Sequence, residues 1–182
     1  MVVVIYAHPY PKRSRACAAL VSAIRDLPNV ELRAIYELYP DFDIDVAAEQ
    51  AALERAKLVV WLHPLYWYTV PGLLKHWFDV VLLGGWAHGE GGAALEGKDC
   101  LWVTTTGDVE KYALQAKHGH RFEAFTPVVE QTARYCGMHW LDPFVMHDAH
   151  EVTEEMLVEA RQKLRARLKG WLDSRLRGNG GK

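Results

Sequence analysis

The chain has 182 residues and a formal charge of −2, from 21 basic and 23 acidic side chains. This length is typical of a single domain, and the near-neutral charge excludes the basic surface that non-specific nucleic-acid binding requires, so no nucleic-acid partner is expected. The three cysteines are widely spaced and form no CxxC pair, which excludes a disulfide framework and favours a cytoplasmic location. The first residues lack the basic segment of a secretory signal.

Short apolar strands and amphipathic helices alternate along the chain. The run Val2–Ala7 is rich in β-branched residues, which is typical of a buried parallel strand, and a helical pattern begins near Ser14. Asp45 is the expected N-cap of the next helix. The same alternation predicts further strands over residues 30–36, 58–62, 100–105 and 140–146, and further helices over residues 46–56, 71–83, 127–136 and from 153 onward. This order predicts a doubly wound α/β sheet in a single domain, residues 1–173, followed by a flexible tail, residues 174–182.

Two glycine-rich patterns imitate nucleotide-binding motifs. Residues Gly89–Ala94 match G-x-G-x-x-A, and residues Gly92–Lys98 match G-x-x-x-x-G-K. Both motifs work only between a strand and the N terminus of a helix, whereas here a helix precedes and a strand follows. In addition, Asp99 stands where the second motif needs Ser or Thr to bind magnesium. We therefore expect a glycine-rich loop and no nucleotide site at this position.

The acidic and histidine-containing segments do not match known metal motifs. The segment 41–45, Asp-Phe-Asp-Ile-Asp, resembles the start of a calcium loop, but Val46 replaces the turn glycine and Ala52 replaces the bidentate glutamate. The nine histidines include no HExxH spacing. No metal ion is therefore expected, and the acidic segment is expected to be a solvated loop that ends in a helix cap.

Three loops are expected to form a ligand site, because ligands of open parallel sheets bind at the carboxyl ends of the central strands. The first loop, His8–Cys17, leads into a helix whose N–H groups, dipole and Ser14 hydroxyl suit a phosphate monoester. The second loop, Pro64–Pro71, is rich in aromatic residues that can flank a flat ring. The third loop, Thr104–Asp108, offers hydroxyl and backbone groups to the polar edge of such a ring. Together the loops predict a mononucleotide site that suits a flavin.

Several motifs, in one order, carry a resemblance to a known family. They are YAHPYPKRS, YPDFDID, HPLYWYTVPGLLKHWFD, GWAHGEGG and the strand end TTTG. With these motifs the chain resembles the NAD(P)H quinone reductase family of flavodoxin-like proteins, and within it the ancillary oxidoreductases of glutathione-gated potassium efflux systems. The resemblance extends from Val2 to about Trp171. It implies a flavodoxin-like five-stranded parallel sheet of order 2-1-3-4-5 with helices on both faces, and two-electron hydride transfer from NAD(P)H through bound FMN to a quinone.

The resemblance also implies which residues hold the flavin. The residues implied for its phosphate and ribityl end are His8, Ser14, Arg15, Ala16 and Cys17, and those implied for its isoalloxazine ring are Leu65, Tyr66, Trp67, Tyr68, Thr105, Thr106, Gly107 and Asp108. FMN is favoured over FAD because the loops supply one phosphate cradle and no second one. The alternative role for Trp67 and Tyr68 is interface packing, whereas helix capping by Ser14 is compatible with phosphate binding.

Tyr112 and His118 are the catalytic candidates. They lie in a segment, residues 112–119, that resembles the part of the larger diaphorase-type quinone reductases in which a Tyr and a His flank the reduced flavin. Hydride arriving at flavin N5 leaves negative charge near N1 and O2, where a phenol and an imidazole can donate hydrogen bonds or a proton. The alternative is that both are loop residues without a catalytic role.

Two positions depart from the family pattern. Tyr66 stands where the family usually has Gln, and Asp108 stands where it usually has a second Gly. A carboxylate near the polar edge of the ring opposes negative charge on the reduced flavin. We therefore do not assign to this chain the flavin reduction potential that is typical of the family.

The resemblance further implies a two-fold symmetric homodimer. Seven Trp and eight Tyr exceed the needs of a small core, so we expect an apolar surface to be shared between subunits. The aromatic residues that support this expectation are Trp61, Tyr66, Trp67, Tyr68, Trp77, Trp86 and Trp102.

Two other functions remain open beside the enzyme. One is a regulatory subunit that docks on a potassium efflux transporter at the cytoplasmic face of the inner membrane, with the flavin as sensor or as structure. The other is a one-electron carrier of the flavodoxin type, although such carriers tend to be strongly acidic and this chain is nearly neutral.

Overall fold

A computed structural model describes residues 1–108 and 119–178, and these form a five-stranded sheet. The strands are β1 (Val2–Tyr6), β2 (Val30–Ala34), β3 (Leu58–Pro64), β4 (Asp99–Thr105) and β5 (His139–Met146). Every neighbouring pair is parallel, and the order across the sheet is β2-β1-β3-β4-β5. The predicted flavodoxin-like order, 2-1-3-4-5, is confirmed.

The described part of the chain also contains six α-helices. They are α1 (Arg15–Ile24), α2 (Ile35–Leu38), α3 (Val46–Arg55), α4 (Gly72–Val81), α5 (Thr126–Tyr135) and α6 (Glu154–Gly178), with short 3-10 turns at Pro11–Arg13 and Phe122–Phe125. Helix α6 continues to Gly178 and so enters the segment for which a flexible tail was expected. Over the described ranges, none of the helices combines the length and the apolar composition needed to cross a bilayer.

One face of the sheet is covered by α3, α4 and α5. Val3 and Ile5 of β1 face a core whose largest members are Trp61, Trp77 and Trp102, and all five side chains are fully buried. These three tryptophans were counted among the aromatic residues in excess of a small core, and this part of the argument for a shared apolar surface is wrong because the core buries them completely. A single core between the sheet and three helices accommodates them. The indoles of Trp61 and Trp77 pack tilted and edge-on against Phe78, and the indole of Trp102 stacks on Phe122.

The opposite face is covered by α1 and α6. Val2 and Val4 of β1 pack there with Leu20 of α1 and with Leu164 and Leu168 of α6. Because alternate residues of a strand point to opposite faces, a continuously apolar strand such as β1 requires helices on both sides. This packing confirms the doubly wound arrangement.

The second strand ends two residues earlier than predicted. Ala34 pairs with Tyr6, the last residue of β1, so the adjacent strand offers no further partner. Ile35 instead begins the one-turn helix α2 and is fully buried, and the hydroxyl of Tyr36 accepts a hydrogen bond from Leu73 N–H (3.1 Å). Ile35 and Tyr36, which the sequence pattern assigned to a longer strand, therefore belong to α2 and pack it against the core and α4.

The glycine-rich loop between α4 and β4 has the structural role that was predicted. Gly85 N–H donates to His88 O (2.8 Å), and Gly92 N–H donates to Gly89 O (3.1 Å). A Cβ at Gly92 would lie 2.2 Å from His88 O, so only glycine fits. The loop runs from a helix into a strand and thus lacks the following helix N terminus that a nucleotide phosphate requires.

The acidic segment 41–45 ends in the predicted helix cap. Asp45 Oδ1 accepts a hydrogen bond from Ala48 N–H (2.9 Å) at the start of α3. Asp41 Oδ1 accepts one from Asp43 N–H (3.2 Å), which closes a local turn. Across residues 1–108 and 119–178, no three His, Cys, Asp or Glu side chains are grouped closely enough to hold a metal ion.

Candidate functional site

The carboxyl ends of β1, β3 and β4 border a cavity of about 300 Å³. Its walls come from the three predicted loops and from a fourth segment, the loop between β5 and α6. The lining residues are His8, Tyr10, Arg13, Ser14, Arg15, Pro64, Leu65, Tyr66, Thr105, Thr106, Gly107, Ala149, His150 and Val152. The cavity therefore brings together most of the residues that the sequence assigned to a flavin.

Helix α1 presents its N terminus to this cavity. Ser14 is the N-cap, and its Oγ accepts a hydrogen bond from Cys17 N–H (3.1 Å). The first hydrogen bond of the helix runs from Ala18 N–H to Ser14 O (3.2 Å), so the N–H groups of Arg15 and Ala16 precede it. The side chain of Ala16 is buried, so the backbone N–H is the group of this residue that can contact a ligand. Such N–H groups, together with the helix dipole, fit an anion such as a phosphate.

Two buried side chains beside the helix start are held in their neutral forms. His8 Nδ1 accepts a hydrogen bond from Tyr10 N–H (2.9 Å), and burial lowers the pKa of the imidazole, so Nε2 carries the proton and can donate. Cys17 Sγ lies 3.4 Å from Thr105 Oγ1, and burial raises the pKa of the thiol. The contact between Cys17 and Thr105 ties the start of α1 to the end of β4.

The loop after β3 is positioned by His63. The imidazole is fully buried, and its Nε2 accepts a hydrogen bond from Trp102 Nε1–H (2.8 Å) while Nδ1–H donates to Pro64 O (2.9 Å). The hydroxyl of Thr104 donates to the His63 carbonyl (2.9 Å). Burial lowers the pKa of His63 to about 4. The neutral ring thus fixes the direction in which the backbone enters the aromatic loop.

The aromatic loop is a strained two-residue hairpin. Tyr66 N–H donates to Thr69 O (3.1 Å), and Thr69 N–H donates to Tyr66 O (3.0 Å). At its tip, Trp67 and Tyr68 have φ values of 50° and 64°, in a left-handed region that bulky side chains rarely adopt. Trp67 is 90% exposed and Tyr68 stacks on Phe125, with ring centroids 5.0 Å apart. Neither residue lines the cavity, and strain of this kind is concentrated at functional sites.

The third loop places Thr106 and Gly107 in the cavity lining. Thr106 Oγ1 lies 2.7 Å from His147 Nδ1 and also donates to Gly107 O (3.3 Å). Burial lowers the pKa of His147, so this imidazole is neutral near pH 7. Asp108 is partly buried at the end of the loop and is not part of the lining. Tyr66, the other departure from the family pattern, lines the cavity edge-on to His8.

Sequence reasoning missed the β5–α6 loop as a wall of the cavity. Backbone N–H groups of Asp148 and Ala149 donate to the carbonyls of Gly107 (2.7 Å) and Thr106 (3.0 Å), and so hold the loop against the residues that directly follow β4. Arg15 Nη1 donates to Val152 O (3.0 Å) and links the loop to α1. The sequence did contain one signal for this loop, because it also follows the carboxyl end of a strand, where ligands of such sheets bind.

The catalytic candidates Tyr112 and His118 lie outside the described residues. On one side of their segment, Gly107 lines the cavity. On the other side, the ring of Phe122 packs edge-on against His147, with centroids 5.5 Å apart, and His147 contacts the lining residue Thr106.

Comparison with known proteins assigns this geometry to a family. A sequence model named Flavodoxin_2, described as a flavodoxin-like fold, matches residues 1–168. The chain is 47% identical over 175 residues to the glutathione-regulated potassium-efflux system ancillary protein KefF of Citrobacter koseri, with 96% of this chain and 98% of the relative covered. Among solved structures, general stress protein 14 of Treponema denticola in complex with FMN is 32% identical, with a TM-score of 0.83 and coverage of 95% of this chain and 98% of that chain. An NADPH-quinone reductase from P. pentosaceus is 28% identical, with a TM-score of 0.78 and coverage of 90% and 97%. The resemblance inferred from the sequence motifs is confirmed, and the chain belongs to the Flavodoxin_2 family of flavodoxin-like proteins.

Proposed function

We propose that the chain is a cytoplasmic FMN-dependent oxidoreductase that passes a hydride from NAD(P)H to a quinone-type acceptor. The observation that carries the proposal is the cavity that joins the N terminus of α1 to the polar end of β4 and to the entry of the aromatic loop. An anion site, a flat apolar wall and a polar edge in one cavity match the phosphate, the ring and the pyrimidine edge of FMN. The names of the similar proteins, which include an FMN complex and a quinone reductase, support the same conclusion.

The chain's own residues divide the binding of FMN between two ends of the cavity. The N–H groups of Arg15 and Ala16 and the Ser14 cap would hold the phosphate, and Nε2–H of the neutral His8 is a further donor near them. Leu65 and Thr105, with the other lining residues of their loops, would contact the ring. Bound FMN would supply the hydride-accepting and hydride-donating chemistry. FAD is disfavoured because a second phosphate cradle was not found in the sequence.

Tyr112 and His118 are proposed as the catalytic pair. Their phenol and imidazole would donate hydrogen bonds, or a proton, at the ring edge where negative charge develops during hydride transfer. The proposal rests on the resemblance of residues 112–119 to the corresponding segment of larger quinone reductases.

Purified protein, reconstituted with FMN, is expected to oxidise NAD(P)H with a soluble quinone as acceptor. Tyr112→Phe and His118→Ala are expected to lower turnover roughly tenfold each while FMN stays bound, because each removes one donor from a site that water reaches in part. Stopped-flow kinetics and the flavin absorption spectrum measure the two quantities separately. Failure to bind FMN at micromolar concentration, or release of FAD on heating, would overturn the proposal. Unchanged kinetics in both variants would contradict the catalytic role of Tyr112 and His118 but not the binding of FMN.

We further propose that the protein works as a two-fold symmetric dimer. A second cavity of about 380 Å³ lies between α4 and α5, and Phe78, Leu82 and Tyr135 are among its lining residues. Val128 and Tyr135 on its rim are 62% and 63% exposed, and the exposed Trp67 belongs to the hairpin that leads towards it. Apolar exposure of this extent on one side of a small domain is typical of an interface, and a C2 dimer uses one patch twice.

Light scattering tests the dimer directly. Wild-type protein is expected to give twice the 20.7 kDa chain mass, and Trp67→Asn is expected to shift the equilibrium towards monomer. Asn is chosen because it tolerates the left-handed backbone at this position. Val158→Ser, at an exposed apolar residue of α6, is the matched control and is expected to leave the mass unchanged. A wild-type monomer with full quinone reductase activity would contradict the proposal.

A second function is favoured by one specific observation, the 47% identity to proteins named as ancillary to a potassium-efflux system. On this basis the dimer would also dock on the cytoplasmic side of an inner-membrane potassium transporter and regulate it. Both functions can hold together. Co-purification of the tagged protein with such a transporter is the test, and its absence at native expression levels would argue against the regulatory function.

A further inference from the structure

His150 stands out among the histidines of the site. It belongs to the β5–α6 loop and is exposed, and it lines the cavity. Its imidazole lies over the backbone of Gly107, because a Cβ placed on that glycine would be 3.4 Å from His150 Cδ2 and 3.6 Å from Nε2. These distances correspond to van der Waals contact, so the imidazole packs directly against the backbone of Gly107.

The position of His150 is set from two sides. The preceding residues of its loop are hydrogen-bonded to the end of β4, and Val152 O accepts a hydrogen bond from Arg15 at the start of α1. His150 therefore lies between the strand end and the helix N terminus, at the side of the cavity that suits a phosphate.

The hydrogen-bonding capacity of His150 is also uncommitted. Within the described ranges, neither of its ring nitrogens has a protein partner, whereas His63 uses both nitrogens and His147 uses Nδ1. An imidazole with two unused nitrogens at the mouth of a cavity is available for a ligand.

The charges around the cavity favour an anion at this place. Among the described residues, the lining contains Arg13 and Arg15 and no carboxylate. Glu154 forms ion pairs with Arg15 (3.4 Å) and with Arg161 (2.9 Å), so its charge is balanced. Asp148 and Glu151 belong to the same loop as His150 but are not part of the lining.

We infer that His150 is a binding residue for the phosphate group of FMN, and this inference rests on the FMN-binding function proposed above. The imidazole donates a hydrogen bond to a phosphate oxygen and adds a side-chain donor to the N–H groups at the start of α1. The phosphate is then held by Arg15 and Ser14 on one wall of the cavity and by His150 on another.

Flavin titration of the apoprotein tests this contact without any measurement of turnover. Quenching of flavin fluorescence gives the dissociation constants of FMN and of riboflavin, which lacks the phosphate. His150→Phe keeps a flat ring over Gly107 but removes the donor, so it is expected to weaken FMN binding about tenfold and to change riboflavin binding by less than about twofold. His150→Gln retains an N–H donor and is expected to lose less FMN affinity. His139→Phe, at the opposite end of the sheet, is the matched control and should change neither constant.

The outcomes separate this inference from the proposed function. Equal weakening of FMN and riboflavin by His150→Phe would show that His150 packs against the ligand without contacting the phosphate, and unchanged FMN affinity would exclude the contact. Either result overturns the inference and leaves FMN binding intact. A wild-type protein that binds neither flavin would overturn both.

Discussion

Glu49→Ala is expected to lower the free energy of unfolding by about 3–5 kcal/mol, the cost typical of breaking a buried charged network from one side. Glu49 in α3 has no exposed surface. Its Oε1 accepts hydrogen bonds from Arg33 Nε (2.8 Å) and Tyr39 OH (2.6 Å), and its Oε2 accepts one from Trp77 Nε1 (2.9 Å). The donors come from β2, from the end of α2 and from α4, so one carboxylate joins three segments to α3. Removing it leaves the buried donors of Tyr39 and Trp77 without their acceptor, and it leaves the partly buried Arg33 paired with Glu31.

Glu54→Ala supplies a matched control on the same helix. Glu54 Oε1 accepts a hydrogen bond from Trp86 Nε1 (3.1 Å), which repeats the chemistry of Glu49 and Trp77 at an exposed position. Its loss is expected to cost no more than about 1 kcal/mol, because water replaces the acceptor. Urea unfolding of both apoproteins at equal concentration, followed by circular dichroism, measures the difference. Equal costs for the two variants would show that the buried network does not stabilise the fold.

Acidification from pH 7 to pH 4.5 is expected to reduce the free energy of unfolding by roughly 2 kcal/mol through His63 alone. The imidazole has a pKa near 6.5 when unfolded, and burial lowers this pKa to about 4 in the folded protein. Between these values the unfolded chain binds more protons than the folded one, so acid favours unfolding. The stabilisation is fully present above the unfolded pKa and is lost as the pH falls towards 4. Burial also lowers the pKa values of His8 and His147, which contribute with the same sign.

His63→Gln isolates this contribution. A glutamine amide can accept from Trp102 Nε1–H and donate to Pro64 O, as His63 does, but it does not titrate. Urea unfolding at a series of pH values is therefore expected to show a shallower loss of stability for His63→Gln than for wild type. His120→Gln, at an exposed histidine, should keep the wild-type slope. Parallel curves for wild type and His63→Gln would contradict the assignment.

Most of the fold was predictable because buried parallel strands have a strong sequence signal. Continuous apolar runs such as Val2–Tyr6 and Leu58–Leu62 pack on both faces, and such runs are typical of buried parallel strands. The error at Ala34 has a different origin. The strand stops there because its neighbour ends at Tyr6, and pairing between distant segments is not contained in the local pattern. Similarly, the count of aromatic residues did not reveal that one core holds three tryptophans.

The candidate site was predictable where a loop combined a strand end with distinctive chemistry. The Ser14 cap and the threonines at the carboxyl end of β4 fulfilled this condition, and the structure places them in one cavity. His150 did not, because its loop has no periodicity and its nearness to Gly107 depends on the hydrogen bonds that fold the loop back onto β4. The exposed orientation of Trp67 was also not predictable, since it results from two consecutive left-handed residues that the composition of the hairpin disfavours.

The exposed hairpin gives the protein a built-in optical probe. Three of the seven tryptophans have no exposed surface, and Trp67 is 90% exposed. Indoles in an apolar core emit at shorter wavelength and are shielded from dissolved iodide, whereas an indole in water emits further to the red and is quenched. The red, iodide-sensitive part of the emission therefore originates mainly from Trp67. A subunit, a transporter or a ligand that covers the hairpin would shield this component of the emission. Contacts made by the hairpin can therefore be followed in the unlabelled protein.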